Sequence, residues 1–163
     1  MKQKSTERPP QVAVAAGIKK YYLTVNVCIR EVEDGYEYLT HSTTLDHYPE
    51  QADITAAAHA AIDEDTDEKI LSGFVWSGIH VWLSAENQRN FSEGQRSATI
   101  TNGQSLPTTF KLGQDEEGKP VYHEFTTVEE LTGFYLQAVA YINQCLVDGW
   151  KKKDAIANQE EEA

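Results

Sequence analysis

The chain has 163 residues and a formal charge of −12, with 14 Lys and Arg against 26 Asp and Glu and 40% hydrophobic residues. That length suits one domain with short extensions, and that charge excludes nucleic acid as a partner, because phosphate binding needs clustered cations. No run approaches the ~20 apolar residues that span a bilayer, which excludes a helical membrane protein.

Residues 1–18 read as a flexible arm: charged at first, then Pro9-Pro10, then small side chains. An arm of this kind could also order against a neighbouring subunit. Gln11–Ile18 is too short and too weakly apolar for a signal peptide, so synthesis in the cytoplasm of the producing cell is expected. Tyr21–Val32 alternates as a strand, with Leu23, Val25, Val27 and Ile29 on one face and Thr24, Asn26, Cys28 and Arg30 on the other. Asp34-Gly35 is a hairpin signal, since this pair accepts positive φ, and Tyr36–Leu45 returns as the partner strand. Pro49 and Glu50 open an alanine-rich helix over Gln51–Asp63, which is marginal alone in water and must dock on a neighbour. Asp63–Glu68 reads as an acidic bend.

Phe74–Leu83 is apolar on both parities, the pattern of a central strand covered on both faces. Ser84 caps a short polar helix to about Asn90, interrupted by Gly94 or by Thr101–Gly103. Thr108–Leu112 alternates as a strand, Gly113–Lys119 is a solvated acidic loop, and Pro120 opens a second strand through Phe125, making a hairpin. Thr126 with Glu129 forms a capping box. A helix over Thr127–Asp148 follows, its apolar face carried by Val128, Leu131, Tyr135, Ala138, Ile142 and Cys145. Gly149 fits the position just past the helix end, with Lys151–Lys153 near the negative pole. The expected fold is α+β: a small antiparallel sheet of two hairpins and a central strand, with two main helices on one face. The expected organisation is an arm at 1–18 and a single domain at 19–157. That domain comprises the N-terminal hairpin and alanine-rich helix (19–70) and a C-terminal block (74–157). An acidic disordered tail is expected at 158–163.

The candidate sites are weak in chemistry. Asp63, Asp65 and Asp67 alternate as in a calcium loop, but Glu68 stands where the sharp turn needs glycine and Phe74 where a bidentate glutamate belongs. His41, Asp46 and His47 offer at most a weak metal site, since none of the five histidines forms an i, i+4 helical pair with another or lies near a cysteine in zinc spacing. Cys28 and Cys145 read as reduced thiols, with one disulfide left open. No nucleophile elbow, phosphate loop or dinucleotide fingerprint is present. No catalytic residue, metal or cofactor is expected. Trp76 and Trp82, six residues apart on one parity, and Tyr36 and Tyr38 are the candidate ligand or partner contacts. The tryptophans would form a sugar-stacking platform if exposed and would fill core volume if not.

Trp82-Leu83-Ser84-Ala85-Glu86-Asn87-Gln88, Leu106–Lys111, Phe125–Leu131, Ala138–Cys145 and Lys153–Ile156 carry a resemblance. Over about residues 74–157 the chain resembles a domain-of-unknown-function family found at the C-terminal end of phage and prophage tail- or fibre-associated proteins of the Bacteroidetes type. That resemblance implies a non-enzymatic virion component acting by protein–protein contact, made in the bacterial cytoplasm and located in the virion. Its expected partners are other virion proteins or itself, as a homo-oligomer. The alternatives are a fibre assembly chaperone absent from mature particles and a carbohydrate-binding module.

Overall fold

The computed structural model describes residues 1–161. The elements in order are β1 (Lys2–Ser5), β2 (Val12–Gly17), β3 (Lys20–Val32), β4 (Gly35–Leu45), α1 (Gln51–Ser72), β5 (Phe74–Trp76) and β6 (Ile79–Val81). Then come α2 (Ala85–Ile100), β7 (Thr108–Gln114), β8 (Pro120–Phe125) and α3 (Val128–Glu161). The fold is α+β, with every strand pair antiparallel. Two compact units are present: Met1–Thr66 with the segment from Val147 onward, and Asp67–Leu146. The expected single domain over residues 19–157 thus comprises parts of both.

The first unit is built on a four-stranded sheet in the order β1-β4-β3-β2. Alternation along β3 and β4 buries Leu23, Val25 and Leu39 against Ala57, Ala58, Ala61 and Ile62 of α1, with Ile156 of α3 packed alongside. The alanines let the helix lie close to the sheet, which is why so alanine-rich a segment is stable here. A bulge between Val27 and Arg30, with Cys28 at φ 54°, breaks the expected facing of Ile29. The arm expected over residues 1–18 is corrected: it supplies both edge strands. Lys2 and Lys4 of β1 reach Glu37 of β4 at 3.1 and 3.2 Å, and β2 folds back on β3 through a two-residue turn at Ile18-Lys19, with Lys19 at φ 57°.

Both main helices run past their expected ends. The acidic bend at Asp63–Glu68 is helical. No Gly or Pro interrupts α1 before Gly73, and Asp65 and Asp63 pair with Lys152 at 3.0 Å and Lys153 at 2.5 Å. Gly149 is not a terminator but lies within α3, where a Cβ would meet Thr66 Oγ1 at 2.7 Å. Of the tail expected at 158–163, residues 158–161 continue α3 and residues 162–163 lie outside the described residues.

The second unit packs two hairpins with α2 and the first half of α3. The central strand expected over Phe74–Leu83 is instead the β5–β6 hairpin. Ser77 and Gly78, at φ 50° and 80°, form the turn, as two-residue hairpins require. Two antiparallel strands folded on each other place apolar residues on both parities, which mimics one buried strand. The β7–β8 hairpin is paired from Thr108↔Phe125 to Gln114↔Pro120. The three sheets remain separate ladders, although Trp82 N–H donates to Leu112 O at 2.7 Å. Gly94 does not interrupt α2. It lies under the Phe110 ring, which occupies the space a side chain would need. The capping box is displaced by one residue: Thr127 Oγ1 accepts from Glu130 N–H at 3.2 Å, and Glu130 Oε2 accepts from Thr126 N–H at 3.4 Å. The core is aromatic, with Phe134 fully buried among Trp76, Phe91 and Phe125 at ring separations of 5.0–5.1 Å.

Candidate functional site

The four expected contact residues do not form one group. Trp76 is buried in the second unit, edge-on to Phe134 and to the His123 ring. Trp82, past the end of β6, is 39% exposed. With Trp76 used as core volume, the two rings do not make a stacking platform. Tyr36 and Tyr38 are half-buried on β4 of the first unit, opposite Ser5 and Gln3. Their parity sets them on the face of the sheet away from Leu39 and α1.

Charged clusters brace the first unit. Glu37 is the hub of one: Arg30 grips its carboxylate through two nitrogens, and Lys2 and Lys4 approach it from β1. These cations, Arg30 foremost, hold its pKa at about 2. His47 bridges Asp46 and Asp53 at 3.0 Å each, and both hydrogen bonds, that of Asp46 first, raise its pKa. Asp53 in turn accepts the Glu50 N–H at 2.8 Å and so closes the first turn of α1; that bond and His47 lower its pKa. Glu64 takes the N-terminal ammonium at 3.1 Å and His41 at 2.8 Å, and both lower its pKa. In the second unit His123 meets Glu130 at 2.9 Å and lowers the carboxyl pKa. Burial pushes Tyr141 up to about 12, and its hydroxyl donates to Lys69 O at 2.9 Å. The Glu37 cluster lies at a strand pair, those of Asp53 and Glu130 at helix starts, and those of Glu64 and Tyr141 tie a helix interior to a neighbouring element. Among the described residues no three His, Cys, Asp or Glu side chains converge as a metal site.

Among the described residues, three surfaces stand apart from these braces. The first is a cleft of about 790 Å³ in the first unit, between β3 (Val25, Val27), α1 (Ile54, Ala58) and the end of α3 (Ala155, Ile156). Arg8, Gln11 and Val12 close its side towards β2. Among the described residues its lining holds no carboxylate or imidazole; Arg8, Lys152, Asn26 and Gln51 stand beside the apolar side chains, so the cleft has an apolar floor with a partly cationic rim. The second is β2 itself, an edge strand exposed along its whole length, with Val12 and Val14 each 38% exposed and Ile18 at its turn 95% exposed. The third is a face of α3 in the second unit. Leu136 is 59% exposed, Val139, Ala140 and Asn143 are exposed beside it, and a Cβ on Gly133 would meet nothing within 4 Å.

Sequence reasoning did not locate these surfaces, although one signal was available. In a chain one-quarter charged, Gln11–Ile18 and Leu131–Leu146 carry no charged residue at all. Over residues 53–163 the sequence matches the family model described as Domain of unknown function (DUF4376). No curated protein and no solved structure matches the chain.

Proposed function

The chain belongs to the DUF4376 family, and on that premise we propose that it is a non-enzymatic structural component of a phage or prophage virion appendage, a tail, fibre or head-associated part, working through protein–protein contacts. The observation that carries the reading is the uncharged, exposed face of α3. A solvated helix face on so acidic a chain would ordinarily carry charge, whereas Leu136, Val139 and Ala140 present apolar surface and Gly133 allows close approach of a second backbone. Depletion of charge at the centre of an exposed apolar patch is the compositional mark of a protein contact. The resemblance read from the sequence over about residues 74–157 supports that setting.

The test is quantitative mass spectrometry of purified particles from a phage or induced prophage that encodes the chain. The reading expects the protein in stoichiometric amount. Presence in lysate with absence from particles would refute it and favour an assembly chaperone. On particles, Leu136→Glu is expected to lower incorporation while leaving the isolated protein folded.

A further inference from the structure

We propose that the free edge of β2 is a self-pairing surface, along which two copies of this chain join antiparallel about a two-fold axis at Val14. The proposal deepens the contact function above by naming one partner, a second copy, and rests on that reading only for its biological setting.

The backbone fixes which groups are free. Asn26 N–H donates to Gln11 O at 2.8 Å, and Val12–Gly17 continue that register against β3. In an antiparallel ladder alternate residues exchange both hydrogen bonds with the neighbour. Gln11, Ala13 and Ala15 therefore turn their peptide groups towards β3, and Val12, Val14 and Ala16 turn theirs outward. An edge of this kind is normally blunted by charge, proline or a bulge. The opposite edge of the same sheet follows that rule, since β1 carries Lys2 and Lys4. The β2 edge has none of these devices over Val12–Gly17.

The occupant is argued from charge and self-fit. Two copies of a chain at −12 repel, so a stable contact between them must fall where neither presents acid, and Gln11–Ile18 is such a stretch. Pairing about Val14 sets Val14 against itself and Val12 opposite Ala16 of the second copy, a larger side chain beside a smaller one. The outward peptide groups then form about six new hydrogen bonds. The same register brings Ile18, 95% exposed at the turn, opposite Pro10 of the second copy. Pro10 lies between Arg8 and Gln11, which line the cleft. Val12 and Val25 both line that cleft and are cross-strand partners, so it opens on the face shared by the even-numbered residues of β2. A foreign strand could use the outward peptide groups, but only a second copy brings an exposed isoleucine to the cleft in register.

Sedimentation equilibrium of the full chain tests the proposal. The wild type is expected to dimerise in the micromolar range, as suits a contact of modest area. Val14→Pro removes an outward N–H while leaving the β3 ladder intact, as edge strands tolerate. Ile18→Ser removes the apolar group that the second copy would bring to the cleft. Each is expected to weaken dimerisation at least about tenfold, with the far-ultraviolet spectrum unchanged. Amide exchange gives a readout independent of both variants: Val12, Val14 and Ala16 gain protection with rising concentration, and Ala13 and Ala15 do not. A monomer at about 100 μM overturns the proposal, as does association that survives both variants, protection that builds up elsewhere, or a foreign strand captured by a monomeric chain. A solution dimer missing from virions would refute the appendage reading alone, and a monomer found in virions would refute this proposal alone.

Discussion

Gly149→Ala is the substitution whose outcome depends most directly on the packing of the first unit. In a free helix interior, alanine gains about 1 kcal/mol over glycine. Here the added carbon would stand 2.7 Å from Thr66 Oγ1. Thr66 is buried, its hydroxyl donates to Ile62 O at 2.8 Å, and its β-branched side chain is stiff at χ1. Turning the hydroxyl away breaks that bond, and keeping it forces α1 and α3 apart, an overpacking cost of about 1–3 kcal/mol. The net for Gly149→Ala runs from near zero to about 2 kcal/mol of destabilisation. Thr66→Ala removes the obstructing atom, so in that background the same change should stabilise by up to about 1 kcal/mol. The coupling between the two positions is therefore about 1–3 kcal/mol, read as a double-mutant cycle by calorimetry and urea unfolding. Each kcal/mol moves Tm by about 2–4 °C in a chain of this size. If Gly149→Ala raises Tm equally in both backgrounds, the close helix approach is wrong.

Three further outcomes are expected. Phe134→Ala opens a void among four aromatic rings and should cost about 3–5 kcal/mol, measured by urea unfolding. Glu37 has a folded pKa of about 2, below its ordinary 4.5. Its contribution is complete above about pH 4.5 and is lost as pH falls towards 2. Glu37→Gln should flatten that part of the acid limb of Tm against pH, and an unchanged limb would refute the hub. His47 is shifted the other way, so its contribution is complete below pH 6.5 and is lost as pH rises through the raised value. Its ring protons should titrate above 6.5 by NMR, moving towards the ordinary value in Asp46→Asn.

What could be read from the residues was what local periodicity encodes. Alternation found β3, β4, β7 and β8, and the three-and-four spacing found the buried face of α3. The errors share one physical cause, since the deciding partner was distant in the chain. Asp63 and Asp65 resemble a solvated bend until Lys152 and Lys153 arrive from the far end of α3 to answer them. Lys2 and Lys4 resemble a loose arm until Glu37 draws them into a strand. Gly149 reads as a stop because glycine commonly ends helices, whereas here it answers the side chain of Thr66. The β5–β6 turn is a different kind of miss. Ser77-Gly78 was visible, but the apolar residues on both sides of it also fit a single strand. The candidate contact residues were chosen for ring size, and ring size does not distinguish Trp76 in the core from Trp82 at the surface.

The first unit is discontinuous in the chain, and this bears on the order in which the molecule can be made. Residues 67–146 leave the ribosome as an uninterrupted stretch holding every member of the aromatic core. The sheet is synthesised earlier still, yet Ile156 and the lysines that neutralise Asp63 and Asp65 are translated only after that stretch. Vectorial synthesis therefore lets the inserted segment mature first, while β1–β4 wait, incompletely covered, for the last turns of α3 to close over them.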